Sequence, residues 1–454
     1  MRVAFISMSG VRIYSKDLVE LGVTLPGFVE RGKVIASLPS LAGVTLAALT
    51  PEDVEFEYIE VDDIDAHDLD TAYDFVALST FTAMAYECYD LADRYREAGV
   101  PVVIGGLHAT LMPAEAKAHA DAVCVGEGEP HWRQILDDAS RNALRPFYGP
   151  DAPEYDLAET PTPRYDILDT DRYNRLTVQT SRGCPWACEF CAASRVYGRY
   201  RIRPVERVMR DVDAIRDLWP RPFIEFADDN TFVNKAWSKR FLREMCERDV
   251  RWFTETDVSV ADDEELLDLL AESGCQQVLI GLESVFPNSL DGLDTRNWKL
   301  KRLDGYRRAI DRIQSRGVTV NGCFIVGLDG DTPDSFERIR DFVFDSGLIE
   351  CQITALTPFP NTPLYRRLEA EGRLLAETPW DRCTLFDVTY TPAQMTVAQL
   401  EEGLRYLFGE LYNDAAYRRR QRRYMDIRKA IASERPASPA VSRGSDGAEG
   451  RASG

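Results

Sequence analysis

Residues 180–191 read TSRGCPWACEFC and set Cys184, Cys188 and Cys191 in a C-x3-C-x2-C spacing, directly after the β-prone run Leu176-Thr177-Val178-Gln179. Three thiolates this close, on a loop leaving a strand, can grip three irons of one cluster and leave the fourth iron without a protein ligand. Zinc is the competing metal, but structural zinc takes four protein ligands, and no Cys or His follows at finger spacing. A [4Fe–4S] cluster with one open iron fits the donors better. Incidental structural cysteines have no reason to adopt ligand spacing.

The chain around this loop has 454 residues, too many for one ordinary core, and its 44 % apolar share can fill two or three. No apolar window is long enough to span a membrane, and Met1 leads straight into the strand-like RVAFIS, so the expectation is a cytoplasmic protein. The ten Cys are scattered apart from the trio, as in a reducing compartment. A net charge of −21 comes with 8 Lys against 46 Arg. Its acids are dispersed, which suits a high-salt or high-GC background better than an acidic face for a basic partner. Nucleic acid is excluded as a partner, since phosphates require basic surface. The run Arg418 to Arg423 is the exception, expected as the solvated end of a terminal helix.

Short apolar runs alternate with helical patterns over residues 1–140. Val3 to Ile6, Val54 to Val61, Phe75 to Ser79, Val102 to Ile104 and Ala122 to Val125 read as strands. This predicts a doubly wound parallel sheet, whose ligands sit beyond the carboxyl ends of its strands. Leu78-Ser79-Thr80, the turn Gly105-Gly106-Leu107-His108 and Gly126-Glu127-Gly128-Glu129 occupy such ends, where glycine lets backbone approach a bulky ligand. Residues 141–172, with Pro146, Pro150, Pro153, Pro161 and Pro163, read as a semi-rigid linker.

From residue 173 to 390 strands and helices alternate again in six repeats, which predicts an incomplete β/α barrel with its chemistry at the carboxyl ends of the strands. Those ends carry Asp228-Asp229-Asn230, Glu255-Thr256-Asp257 and Gly281-Leu282-Glu283-Ser284, then Gly322 to Gly327 and Thr357-Pro358-Phe359-Pro360-Asn361-Thr362-Pro363. Carboxylates there can accept N–H bonds from a ligand ammonium. Cys323 and Cys351 are expected as packed strand thiols. Residues 391–430 read as a helical extension, with Leu400, Leu404, Leu407 and Leu411 at helical spacing, and 431–454 as a disordered tail.

The cysteine loop resembles the C-x3-C-x-aromatic-C motif of the radical S-adenosylmethionine (SAM) superfamily, with Phe190 in the aromatic place. The acidic second strand end, GLES, the glycine-bearing fifth strand and TPFPNTP resemble that family's later elements in the same order. The resemblance implies a [4Fe–4S] cluster on Cys184, Cys188 and Cys191 whose open iron is chelated by SAM. It also implies SAM contacts from Phe190, Asp228, Asp229, Asn230, Glu255, Asp257, Glu283, Ser284 and Gly327. Residues 1–140 resemble the cobalamin (B12)-binding domain that precedes the barrel in many of these proteins, which would place cobalamin against Ser79, Thr80, Gly105, Gly106, Gly126 and Glu127. The D-x-H-x-x-G segment of the mutase type is missing, since SMSGVRIYSKDLVELG has no His. His108 is expected as a turn residue rather than a cobalt ligand.

The fold expected is therefore α/β: a Rossmann-like cobalamin-binding domain, a linker, a partial (β/α)6 barrel and a C-terminal helical extension. The function implied is SAM cleavage to a 5′-deoxyadenosyl radical, with cobalamin-dependent methylation of an unactivated carbon of a small molecule or lipid. An electron donor such as flavodoxin or ferredoxin is the implied partner. Ring closure, oxidation or rearrangement without methyl transfer is the alternative within enzymes, and a non-catalytic Fe–S scaffold or redox sensor the alternative outside them. A methylthiotransferase is excluded, because only Cys88 and Cys124 precede the motif and a second cluster would need more.

Overall fold

The computed structural model describes residues 1–8, 18, 38–375 and 380–434. Strand β1 (Arg2–Met8) is buried on both faces from Val3 onward, as a strand must be in the middle of a parallel sheet covered by helices. It pairs in parallel with β2 (Glu55–Glu60) on one side and β3 (Phe75–Thr80) on the other. Parallel strands β4 (Val102–Gly105), β5 (Ala122–Cys124) and β6 (Phe147–Tyr148) complete the order β2-β1-β3-β4-β5-β6. One face packs Ile6, Leu78, Leu91 and Tyr95, the other Phe5, Phe75, Trp132 and Ile135. The order reverses between β1 and β3, which opens a crevice at the carboxyl ends.

Strand β6 lies in the segment expected as linker. Tyr148 is buried there, and its hydroxyl donates to Asp138 at 3.0 Å. Further on, Leu157 and Tyr165 are also buried, and the Tyr165 hydroxyl donates to the Thr177 carbonyl at 2.8 Å. The join is thus packed against both neighbouring units.

In the second half, β7 (Leu176–Val178) is followed by β8 (Ser181–Arg182), which pairs antiparallel with β9 (Arg201–Ile202) and closes a hairpin around the cysteine loop. Strands β10 (Phe223–Phe226), β11 (Arg251–Thr256), β12 (Cys275–Glu283), β13 (Thr319–Val326) and β14 (Glu350–Ala355) then join β7 in one parallel sheet in chain order. The sheet curls with β7 and β14 as its edges, so the six-stranded barrel is incomplete as expected. Along β11, Trp252, Thr254 and Thr256 are buried while Arg251, Phe253 and Glu255 are not. This alternation separates a helix-packed outside from an open lumen.

The segment from Trp380 to Pro392, which the sequence alone reads as irregular or β, holds a short turn at Trp380–Arg382, and Tyr390 bridges back to Leu374. The helix Val397–Leu411 starts on a reciprocal cap between Thr396 and Gln399, and buries the leucines its spacing marked out. A further helix spans Asp414–Glu434. Arg420 corrects the expectation of a solvated arginine run. It is 5 % exposed and donates to the Ile349 and Leu411 carbonyls at 3.0 and 2.7 Å, because packing turns one helix face inward. The helix also continues four residues into the segment expected as tail, and 435–454 lie outside the described residues. Among the described residues no helix is long and apolar enough to cross a membrane.

Candidate active site

The cysteine loop is held from its base. Asp228, just past β10 and buried, accepts the Thr180 and Ser181 backbone N–H groups at 2.8 and 2.7 Å and the Thr180 and Thr231 hydroxyls at 2.5 and 3.0 Å. Gly183 has φ +79°, and a Cβ there would stand 2.8 Å from the Arg199 carbonyl oxygen, so only glycine fits before Cys184. Burial pushes the Cys184 thiol up to about 11 and Cys188 to about 12, while the Cys191 N–H donates to the Cys188 carbonyl at 3.2 Å. None of the three is in a disulfide. Among the described residues no three His, Cys, Asp or Glu side chains stand close enough to hold one metal ion. Thiolates on separate corners of a cluster stand farther apart than the ligands of a single ion.

Other elements buttress the loop. Trp186 stacks on Trp298 at 4.3 Å between ring centroids and donates its indole N–H to Asp257 at 2.9 Å. Arg367 binds the Glu189 carboxylate at 2.8 Å. Lys299 is buried, pairs with Glu283 at 2.9 Å and donates to the Gly281 carbonyl at 2.6 Å. Burial alone would lower its pKa, but the Glu283 carboxylate and the nearby Cys188 outweigh it, so Lys299 stays charged beside the loop.

These contacts sort the strand-end residues. Asp228 is occupied by the loop. Asn230 donates to Asp257 at 2.7 Å and accepts from Thr256 at 3.2 Å; Asp257 also accepts the Ser259 N–H at 2.8 Å. Glu283 is tied to Lys299, and the Ser284 hydroxyl accepts the Phe286 N–H at 3.2 Å. Gly327 has φ +92° and a Cβ there would overlap the Tyr390 hydroxyl, so packing against Tyr390 and Leu400 explains this glycine. Phe190 packs on the barrel core. Two acidic side chains are left without an ion pair among the described residues. Asp229 is part-buried and takes the Gly183 N–H beside Cys184; burial and then Asp228 push it up to about 6. Glu255 faces the lumen, and enclosure by the barrel wall followed by the Glu225 charge pushes it up to about 8.

In the first half, the strand-end residues converge. Gly106 has φ +94°, and a Cβ there would stand 2.9 Å from Ser79 Oγ and 3.1 Å from the Thr80 nitrogen. Gly126 has φ +84° with nothing within 4 Å, so its bare Cα faces open space. Ser79, Gly105, Gly106, Gly126 and Glu127 line a cavity of about 200 Å³ that runs inward over Ala77, Val103 and Trp132. The same cavity is lined by Gln179, Arg182, Val196 and Tyr197, which flank the cysteine loop. The Glu127 carboxylate is already shared by Arg182 at 2.6 Å, Arg201 at 3.0 Å and the Tyr155 N–H at 2.7 Å, which makes it a tie between the halves. His108 is fully buried away from the crevice, against Tyr89, Thr82, Glu115 and Trp380, and burial lowers its pKa. The segment after β1 that lacks the cobalt-binding His falls almost wholly outside the described residues.

Family models match this arrangement half by half: "Radical SAM superfamily" over residues 178–343 and "B12 binding domain" over 35–136. The chain belongs to the cobalamin-domain branch of the radical SAM superfamily. A third model, a domain of unknown function (DUF4070), covers 362–445. This radical SAM chain is 27 % identical over 405 residues to the bacteriochlorophyllide d C-12(1)-methyltransferase of Chlorobaculum tepidum, covering 86 % of each. It is 27 % identical over 356 residues to the hopanoid C-2 methylase of Rhodopseudomonas palustris, covering 75 % of this chain and 66 % of that one. Its fold matches the radical SAM methyltransferase TsrM from Kitasatospora setae, solved with cobalamin and a [4Fe–4S] cluster bound, at a TM-score of 0.65 and 17 % identity. That match covers 94 % of this chain and 99 % of that one. The radical SAM chain is an enzyme whose cofactors are a [4Fe–4S] cluster, SAM and cobalamin. The residues present suit them: three sulfur donors on one loop, a carboxylate beside it that takes a single backbone N–H, and a crevice whose glycines leave the space a Cβ would fill.

Sequence motifs missed Lys299, Trp186, Trp298 and Arg182, whose contacts cross long stretches of chain. Cys323 was expected as packed, but it is only part-buried and faces the lumen, whereas Cys351 is buried. The alternation of Thr319, Asn321 and Cys323 with Val320 and Phe324 carried that signal.

Proposed function

We propose that this enzyme transfers a methyl group to an unactivated carbon of a small molecule or lipid held in the barrel lumen. When bound, the cluster and SAM supply a deoxyadenosyl radical and cobalamin carries the methyl group, so the chain's work is positioning and exclusion of water. Cys184, Cys188 and Cys191 hold the cluster, and Asp229 receives the SAM ammonium beside them. Ser79, Gly105, Gly106 and Gly126 cradle the cobalamin ring. The stacked Trp186 and Trp298 shield the cluster loop from one side, and Lys299 sets a positive charge by Cys188. A flavodoxin- or ferredoxin-type donor delivers the electron.

The observation that carries this reading is the shared cavity, because glycine turns of the first sheet and residues flanking the cysteine loop line the same space. A methyl carrier in the crevice then lies next to the place where a substrate radical forms. The test is anaerobic turnover of reconstituted enzyme with methyl-labelled SAM. Deoxyadenosine formed together with a product one methyl heavier supports the proposal. Deoxyadenosine with a product of unchanged carbon count refutes methyl transfer in favour of ring closure or oxidation. Replacing Cys184, Cys188 and Cys191 by Ala abolishes bound iron and deoxyadenosine if the cluster assignment holds.

A further inference from the structure

The lumen carries more hydrogen-bond acceptors than the fold satisfies. On β10, Glu225 is answered by Arg175 at 2.6 Å. On β14, Gln352 accepts the Cys323 thiol at 3.8 Å. The Glu255 carboxylate on β11 has neither a hydrogen bond nor an ion pair among the described residues, although it faces the open centre of the barrel. Asn321 on β13 is 8 % exposed, and its Oδ1 is buried without a partner. Its strand neighbours Val320 and Phe324 pack outward into the helix-covered core, so Asn321 shares the lumen face with Cys323.

The register places these two acceptors in one layer, because Glu255 pairs with Leu279 and Leu279 with Asn321. Strands two apart stand roughly 10 Å from each other, so the pair spans more than a single amine and matches two donors on one molecule. The charges that act most strongly on Glu255 are acidic: Glu225, Asp229, Asp228 and Glu283. The adjacent cations are engaged elsewhere, Arg175 on Glu225 and Lys299 on Glu283. With those cations engaged, such a chamber leaves a phosphate or carboxylate neither Arg175 nor Lys299 as a partner, and it offers a purely hydrocarbon ligand nothing for its buried polar atoms.

We infer that the lumen takes a nitrogenous substrate, cationic or rich in N–H donors, whose donors are received by Glu255 and Asn321. This rests on the lumen being the substrate chamber of the enzyme proposed above. Glu255 then serves the substrate, and SAM is left to Asp229 and the loop.

The test uses the full-length enzyme, anaerobically reconstituted with cluster and cobalamin, and titrates it calorimetrically with benzamidine and with benzoate, a planar cation and its anionic counterpart. Benzamidine is expected to bind at least about tenfold more tightly than benzoate, and Glu255→Gln and Asn321→Leu each to weaken it by about tenfold, the worth of one such bond. Iron and cobalamin contents of both variants are expected to match the parent, which establishes that they fold. Equal affinity for the two probes, no binding of either, or variants with parental affinity would overturn the inference. Deoxyadenosine formation by the parent is measured on the same preparation. SAM cleavage without benzamidine selectivity overturns the substrate class alone, whereas no cleavage overturns the proposed function.

Discussion

Asp228 separates a residue that binds SAM from one that builds the site. In Asp228→Ala the two N–H groups of Thr180 and Ser181 lose their acceptor, and both lie in a buried loop base. The hydroxyls suffer less, because Thr231 keeps a 2.5 Å bond to Thr254 and Thr180 can rotate its own. Each orphaned buried N–H costs about 1–3 kcal/mol. Removing a carboxylate that burial disfavours offsets part of this, since desolvation raises the Asp228 pKa. A net loss of about 3 kcal/mol corresponds to roughly 6–12 °C in Tm for a cooperative unit of barrel size. Asp228→Asn keeps an oxygen for both N–H groups and places its amide against hydroxyls able to turn and accept, so its expected loss is about 1 kcal/mol. The assay is thermal unfolding of the metal-free chain alongside iron content after reconstitution. The Ala variant should lose both stability and iron, and the Asn variant should retain most of each. An Ala variant with parental Tm and iron but weakened SAM binding would refute this account and return Asp228 to the SAM site.

Three further outcomes follow from the same contacts. Glu255 has a folded pKa near 8 against an ordinary 4.5, so the folded state holds the proton more tightly; stability falls as pH rises between these values and is level outside them. Glu255→Gln should therefore gain thermal stability over the parent as pH rises from about 5 to about 8, and an unchanged difference across that window would contradict the assignment. Gly106→Ala should cost about 1–3 kcal/mol and lower retained cobalamin, because its φ of +94° and the 2.9 Å approach to Ser79 both resist a Cβ; Gly126→Ala, with nothing within 4 Å, should lower cobalamin at smaller cost to Tm. Arg420→Ala should destabilise the enzyme by about 2–4 kcal/mol in denaturant titrations, since the Ile349 and Leu411 carbonyls lose a buried donor; a solvated arginine would cost nothing measurable.

The architecture was legible because both sheets write their periodicity locally. The unbroken apolar run of β1 and the alternation in β11 and β13 reflect how many faces of each strand are covered. The cysteine loop was legible for a related reason, as its ligand spacing lies within a dozen residues. Acceptor assignments were not legible. Asp228 and Asp229 are adjacent and chemically identical, yet one is filled by donors from Thr180 and Ser181, 48 and 47 positions earlier, and the other takes only the Gly183 N–H. Which carboxylate remains free depends on the donors that folding delivers. Lys299 escaped notice because its role comes from nearness to Cys188 and Glu283 and from no pattern around it. The expected linker misled because its prolines describe local stiffness, while Tyr148 and Tyr165 are placed by the sheets they join.

Arg182 shows how the two halves become one site. It lies two residues before Cys184, and its guanidinium bonds Glu127 at 2.6 Å, Gln179 at 2.7 Å and also Glu129. Glu127 in turn follows Gly126 directly, on the rim of the crevice proposed for cobalamin. A buried ion-pair cluster is a poor source of net stability, because desolvation cancels most of the attraction and apolar side chains would pack as well. What apolar side chains would not supply is direction, since a guanidinium fork fixes both distance and angle to its carboxylates. Arg201 adds a second fork to Glu127 from the far strand of the hairpin that encloses the cysteine loop. The loop is therefore tied at both ends to the crevice rim, and the separation of the two proposed cofactor sites is set by a few short charged contacts. Asp228 fixes the same loop to the barrel. The cysteines thus hang between two anchors, and a shift of either half moves them relative to the other.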